Sequence, residues 1–270
     1  MSRARPRAAP KFEPLYLVFA ALGGLILLFI IAPLAGMFLN CSPSQMAETA
    51  AEPEVQRSIW LTLWTSMAAT LFLATAAIPF AYLLARKDFP LKRLVTAIID
   101  IPIVIPHSAA GIAILGVVSR HSLAGRIAGK FGLGFVSSPA GIMVAMAFVS
   151  LPFLINMARD GFLAVPERLE KAALNLGASP LRVFLTISVP LAWRGILSGL
   201  ILMWARGMSE FGAVIIIAYH PTVTPVLIFE RFGAFGLKYA RPVAAVFISV
   251  CLVFFVMLRI LTWEKGRAER

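Results

Sequence analysis

The chain has 270 residues, of which 60% are apolar and 14% are charged, and its formal net charge is +12. Soluble globular domains contain about 45–50% apolar and about 25% charged residues. The composition therefore excludes a soluble globular domain and indicates an integral membrane protein. Basic residues at membrane borders and anionic lipid explain the positive charge without a nucleic-acid partner.

Six apolar segments are long enough to cross a bilayer, which takes about 20 residues of helix. They are residues 15–39, 59–85, 94–118, 140–158, 196–218 and 243–261. We therefore predict an all-α integral membrane protein with six transmembrane helices. The predicted organisation is a basic N-terminal segment at 1–14, a six-helix domain at 15–262 and a short tail at 263–270.

The basic residues predict the orientation, because loops rich in Lys and Arg stay on the cytoplasmic side. With the N-terminus inside, the inner segments hold sixteen Lys and Arg residues and the outer segments hold seven. Both termini and the tail are therefore predicted to be cytoplasmic. The expected location is the plasma (inner) membrane of the cell, in a multi-pass arrangement.

The third span carries an unusual set of helix-modifying residues, Pro102, Pro106 and Gly111, in the sequence IDIPIVIPHSAAGIAIL. Next to Pro106 is His107, which either lines a path or is a hydrogen-bonded packing residue. After a Gly- and Ser-rich loop, Ser138 and Pro139 match an N-cap and the first residue of the fourth helix.

The loop at 159–190 contains a predicted short amphipathic helix. Its apolar positions have helical spacing, and Gly177 follows as a left-handed C-cap: Leu169, Ala172, Ala173, Leu176. Ser179 and Pro180 then predict a new helix start. Such a helix lies either among lipid head groups or in a groove on a partner protein, and its small, alanine-rich apolar face favours the groove.

The fifth span contains two opposite charges, Arg206 and Glu210, close to its middle. A lone charge at the bilayer centre costs at least ~2.5 kcal/mol, and residues four apart share a helix face. We therefore predict an Arg206–Glu210 ion pair. It either fixes the packing of the helix or forms part of a constriction in a transport path.

The segment at 220–241 is predicted to lie outside the membrane and carries Arg231, Lys238 and Arg241 among aromatic residues. These cations either receive an external partner or anchor helix ends at the interface. Three scattered His and two distant Cys residues give no metal-ligand spacing, and no nucleophile and base are clustered for catalysis.

The loop at 159–190 resembles the EAA loop of ATP-binding-cassette (ABC) importer permeases. Ala172, Ala173, Gly177 and Pro190 match its spacing, Lys171 stands at the position of the family's Glu, and Glu170 precedes it. The resemblance implies the type I ABC importer permease fold. It also implies that this loop couples to a separate ATPase through Glu170, Lys171, Ala172, Ala173 and Gly177.

The third span and the stretch from WARGMSEFGA to LKYARPVA are similar to permeases for molybdate, tungstate and sulfate, and above all to the archaeal-type tungstate/molybdate permeases. In that family the fifth helix lines the path, which implies a gate formed by Arg206, Ser209, Glu210, Phe211 and Gly212. Pro102, Pro106 and Gly111 would belong to a pathway helix, and Arg231, Lys238 and Arg241 would receive the binding protein.

The resemblance implies a homodimer with two ATPase subunits on the cytoplasmic side and an extracytoplasmic oxyanion-binding protein. The chain would be a transport subunit without its own ATPase site or cofactor, with ATP and Mg bound by the partner. The expected cargo is tungstate or molybdate, and the alternative is sulfate or thiosulfate. Other hypotheses are a proton-coupled secondary transporter using Glu210 and a scaffold subunit of a membrane enzyme complex.

Overall fold

The computed structural model describes residues 14–267, with side chains from 15 to 257. The predicted basic segment up to residue 13 and the last residues of the tail, 268–270, lie outside the described residues. Within the described part the elements are helices and connecting loops, without strands. The helices are, in chain order, α1 Pro14–Leu39, α2 Pro43–Ala51, α3 Pro53–Arg86, α4 Lys92–Val104, α5 His107–Val118, α6 Leu123–Lys130, α7 Pro139–Leu163, α8 Glu167–Asn175, α9 Pro180–Val183, α10 Val189–Met208, α11 Gly212–Ile217, α12 Thr224–Phe235 and α13 Leu237–Arg267.

The helices confirm the all-α membrane fold. Five described helices are long and apolar enough to cross a membrane, and a sixth candidate consists of α4 and α5 together. The five are Leu15–Leu39, Pro53–Arg86, Pro139–Leu163, Pro180–Met208 and Leu237–Met257. The remaining helices are shorter.

The third predicted span, 94–118, is not one continuous helix; it consists of α4 and α5, which together form the sixth candidate span. The axes of α4 and α5 form an angle of 114° at a break next to Pro106. Proline has no N–H and disfavours helical angles in the residue before it. Ile105 accordingly has ψ 146°, and the chain turns before α5 begins at His107.

The predicted bounds of the fifth span, 196–218, were wrong. A continuous helical stretch begins much earlier, at Pro180, passes through a π-helical turn at Phe184–Ser188 and ends at Met208. The chain then breaks before α11 starts at Gly212. Arg206 therefore lies in the last turn of α10, and Glu210 lies in the break rather than inside a helix.

The described residues form two compact units. One contains α1, α2 and α13 from Arg241 onward; within it, Arg241 Nη1 donates to the Asn40 carbonyl at 3.0 Å. The other unit is Ala51–Ala240 and contains two apolar clusters. The first cluster joins α3, α7 and α10 through Leu84, Leu154, Phe162, Ile196 and Met203. The second joins α5, α7, α11 and α12 through Ile114, Ile142, Met146, Ile217 and Val226.

The α7–α10 crossing in this unit brings two backbones into contact. A Cβ on Gly195 would lie 2.6 Å from the Cα of Gly161, a distance that real Cβ atoms essentially never show. Small residues at such crossings let membrane helices approach closely. The crossing positions the start of α10 against the end of α7, next to the segment that holds α8.

Candidate functional site

Glu210 is the centre of an ionic cluster at the break between α10 and α11. Its side chain is fully buried, and Oε2 lies 3.0 Å from Nη2 of Arg206. Oε1 accepts the backbone N–H of Ala213 at 2.9 Å, which caps the first turn of α11. The carboxylate therefore has a cation on one oxygen and a backbone donor on the other, as a buried charge requires.

His107 completes this group, which we call the Glu210 cluster: His107, Arg206 and Glu210. His107 Nδ1 lies 3.1 Å from Glu210 Oε2 and 2.9 Å from Arg206 Nη2. One ring nitrogen cannot accept from arginine and donate to a carboxylate at once, so the tautomer of the ring decides which of the two contacts is a hydrogen bond. The sequence did not predict that His107 contacts the Arg206–Glu210 ion pair.

Two glycines explain why α5 and α11 lie close enough to form the cluster. A Cβ on Gly111 would lie 2.9 Å from the Cα of Ala213, and one on Gly212 would lie 2.8 Å from the Cβ of His107. Because neither site has room for a side chain, the two short helices lie in backbone contact. Both glycines were singled out in the sequence, but their mutual proximity was not.

The other sequence-predicted gate and pathway residues have different surroundings. Ser209 is exposed; its hydroxyl accepts from Arg206 Nη1 at 3.1 Å. Phe211 is half-buried and packs on Phe229, with 4.8 Å between ring centroids. Pro102 is buried within α4, and Pro106 is the residue that precedes α5. The structure therefore brings Arg206, Glu210 and Gly212 together around His107, and Gly111 contacts Ala213 between the same two short helices.

The predicted amphipathic helix is α8, and its local capping follows the sequence. Gly177 has φ +87°, the left-handed conformation expected of a helix C-cap. Ser179 Oγ accepts the N–H of Arg182 at the start of α9. Lys171 and Ala172 are exposed, Ala173 is half-buried, and Leu176 is 89% exposed. Lys171, Ala172 and Leu176 are therefore available to a partner.

Glu170, in contrast, points into the protein. It accepts from Arg86 Nε at 2.8 Å and Nη2 at 2.9 Å, and from Ser188 Oγ at 2.8 Å. Tyr82 Oη contributes a fourth contact at 3.3 Å. We call these four side chains, Tyr82, Arg86, Glu170 and Ser188, the Glu170 junction.

The Glu170 junction holds an ionised carboxylate. Burial raises the pKa of the Glu170 carboxyl, but hydrogen bonds from Arg86 and Ser188 outweigh burial, and the resulting pKa lies below the ordinary value. The charge is thus retained at neutral pH. Sequence reasoning missed three members of the junction, since Arg86 counted only as a basic loop residue and the others gave no signal.

The three cations that were predicted to receive the binding protein differ in their exposure and in their bonds within the chain. Arg231 Nη2 forms ion pairs with Glu52 and Glu54, and its side chain is only 15% exposed. The bond to Glu52 raises the pKa of Arg231, so this cation is held by the chain itself. Arg241 donates to a carbonyl, as described above, and Lys238 is exposed.

Sequence comparison places these features in a known family. Residues 77–263 match the family of binding-protein-dependent transport system inner membrane components. The chain is 45% identical over 255 residues to the molybdate/tungstate transport system permease protein WtpB of Thermococcus kodakarensis, covering 94% of this chain and 96% of that protein. It is 30% identical over 252 residues to the sulfate transport system permease protein CysT of Synechocystis sp., covering 90% and 88%.

Structural comparison agrees with the sequence match. A solved structure of a bacterial ABC transporter that imports the acidic polysaccharide alginate covers 93% of this chain and 96% of its own, with a TM-score of 0.70 at 18% identity. Such a likeness shows the fold. The chain therefore belongs to the family of inner membrane components of binding-protein-dependent transport systems, the permease subunits of ABC importers.

Proposed function

We propose that the chain is the permease of a molybdate or tungstate importer. The observation that carries this proposal is the 45% identity to a molybdate/tungstate permease along nearly the full length of both chains. The identity to a sulfate permease is 30%, which keeps sulfate or thiosulfate as the second candidate. A proton-carrying role for Glu210 fits less well, because both carboxylate oxygens already have partners.

The assembly that fits this function is a homodimer with two ATPase subunits and an extracytoplasmic oxyanion-binding protein. The excess of basic residues in the loops that include α8 supports a cytoplasmic position for that helix and for both termini. ATP and Mg would then be bound by the ATPase subunits, and this chain would supply the membrane path. Lys238 is the exposed cation best suited to contact the binding protein.

The Glu210 cluster is proposed to line the narrow part of this path. It lies where α10 ends, α11 begins and α5 starts after its bend. Non-helical backbone inside a membrane protein is tolerated where it is buried in protein or lines a cavity. The side chain of Phe211, next to Glu210, would narrow the path. Because Arg206 is paired with Glu210, it would not bind a tetrahedral oxyanion tightly, and the anion could pass.

The substrate is tested by uptake of labelled molybdate and tungstate in cells with the gene deleted and restored. We expect gene-dependent uptake at nanomolar anion that persists in a large excess of sulfate. The empty vector in the deleted strain is the control. Uptake abolished by sulfate would assign the chain to a sulfate-type importer, and gene-independent uptake of all three anions would contradict the proposal.

The ATPase contact is tested on the exposed face of α8. Leu176→Asp, directly after α8, is expected to weaken co-purification of the ATPase, because burying a leucine side chain contributes about 1.5–3 kcal/mol, or about 10- to 140-fold in affinity. The control is Leu123→Asp in α6, where the leucine is 70% exposed. Equal ATPase recovery with the two variants would remove α8 from the interface.

A further inference from the structure

Glu170 differs from the rest of α8 in its surroundings. Among the nine residues of this helix, all of which the structure describes, Glu170 alone is buried. Its neighbours on the same helix are exposed or half-buried, including Leu169 and Leu174. The helix is therefore connected to the protein interior through one carboxylate rather than through an apolar core of its own.

The carboxylate is held from several helices at once. Arg86 and Tyr82 belong to the last turns of α3, and Ser188 belongs to the π-helical turn that leads into α10. Arg86 Nη2 also donates to the carbonyl of Val165, just after α7, at 2.9 Å. Bidentate arginine–carboxylate contact fixes direction as well as distance, so α8 is oriented relative to α3, α7 and α10.

The base of the Glu170 junction is aromatic and closely packed. The ring of Tyr82 lies 5.2 Å from that of Phe162 and 5.0 Å from that of Phe184, between ring centroids. Phe162 is fully buried at the end of α7, and Phe184 begins the π-helical turn. Close packing transmits displacement rather than absorbing it. A movement of α8 is thus expected to reach the long helices through this junction.

We propose that Arg86 and Glu170 form the link through which movement of α8 is passed to α3 and α10, with Arg86 as the positioning residue. This inference rests on the proposed function, in which α8 contacts the ATPase. The exposed face of α8 binds the partner, and the buried carboxylate carries its displacement inward. Loss of the link therefore leaves ATPase binding intact but separates ATP hydrolysis from transport.

The test uses the complete importer in proteoliposomes, with the ATPase and the binding protein, and measures molybdate taken up per ATP hydrolysed. The variant is Arg86→Met/Glu170→Leu, which removes both charges and leaves none unpaired. We expect the ratio to fall at least about fivefold, the lower end of known couplings between sites, with unchanged ATPase co-purification. A wild-type ratio in this variant would overturn the proposal.

A single variant, Arg86→Met, distinguishes a role in coupling from a purely structural role of the Glu170 junction. Arg86→Met leaves a buried carboxylate without its cation, which strongly destabilises, whereas replacing both partners by apolar residues is often neutral. We expect Tm to fall in the single variant and to recover in the double variant, with a low ratio in both. If the ratio recovers together with Tm, the junction is structural only and the proposal is wrong.

Three further measurements complete the test. Asp88→Leu/Lys92→Met removes an exposed pair with an N–O distance of 2.9 Å at the same end of α3 and should keep the wild-type ratio. Should the double variant fail to assemble, Arg86→Lys decides, because it keeps the cation and loses the bidentate contact: a lower ratio supports the link, and a wild-type ratio contradicts it. Wild-type importer that takes up neither molybdate, tungstate nor sulfate contradicts the proposed function instead, and is thereby distinguished from failure of the link.

Discussion

An importer that carries Glu210→Ala is expected to lose ATP-driven uptake, while its ATPase subunits hydrolyse ATP without transport. Removing the carboxylate leaves Arg206 and His107 without their shared anion and leaves the N–H of Ala213 without its acceptor. Breaking a buried pair by removing one partner costs about 3–5 kcal/mol. The break between α10 and α11 should therefore rearrange, and uptake per ATP in proteoliposomes measures the result.

Two matched control variants, Glu210→Gln and Glu48→Ala, are needed to interpret the Glu210→Ala result. Glu210→Gln keeps the size of the side chain and an acceptor for Ala213, so it isolates the loss of charge. Glu48→Ala removes an exposed carboxylate on α2, and such surface changes stay within about 0.5 kcal/mol. Normal uptake and normal coupling in Glu210→Ala would assign the cluster to packing and would contradict a role in the path.

The Gly111→Ala variant is expected to destabilise the protein, although alanine is ordinarily the better helix former. Its Cβ would lie 2.9 Å from the Cα of Ala213 and equally close to the Cβ of Ile216. Overpacking of this kind costs about 1–3 kcal/mol. Separation of α5 from α11 would also move His107 away from Glu210, so we expect a lower Tm in detergent together with reduced uptake.

Gly116 on the same helix provides the control for Gly111. A Cβ there would meet nothing within 4 Å, and replacing a helical glycine by alanine contributes up to about 1 kcal/mol. Gly116→Ala should therefore leave Tm unchanged or raise it. If the two variants have the same Tm, α5 and α11 are not in backbone contact.

Local features of the sequence were sufficient for the class of protein and for several helix ends. Long apolar runs predict spans because an unpaired backbone cannot cross a bilayer except as a helix or closed barrel. Ser138 before α7 and Ser179 before α9 cap their helices, as their positions next to proline predicted. Gly177 adopts positive φ for the same local reason. Each of these features depends on a few consecutive residues.

The breaks inside the membrane spans could not be predicted from a few consecutive residues. Pro106 was visible in the sequence, yet proline in a membrane helix is compatible with a kink as well as with a bend of 114°. The break at Glu210 has no proline at all. It is held by the side chain of Glu210 on the N–H of Ala213 and by the contact of Gly212 with His107, which arises only when α5 lies alongside.

By itself, the sequence determined that this is a helical membrane protein with a short amphipathic helix capped by Gly177, and it placed Arg206 and Glu210 within reach of one another. Only the tertiary structure decided which side chains share a site. Arg86 and Glu170 are 84 residues apart in the chain, and His107 and Arg206 are 99 apart. Periodicity and capping are local properties, whereas these pairs depend on how whole helices pack, and the direction of Glu170 into the protein follows from that packing.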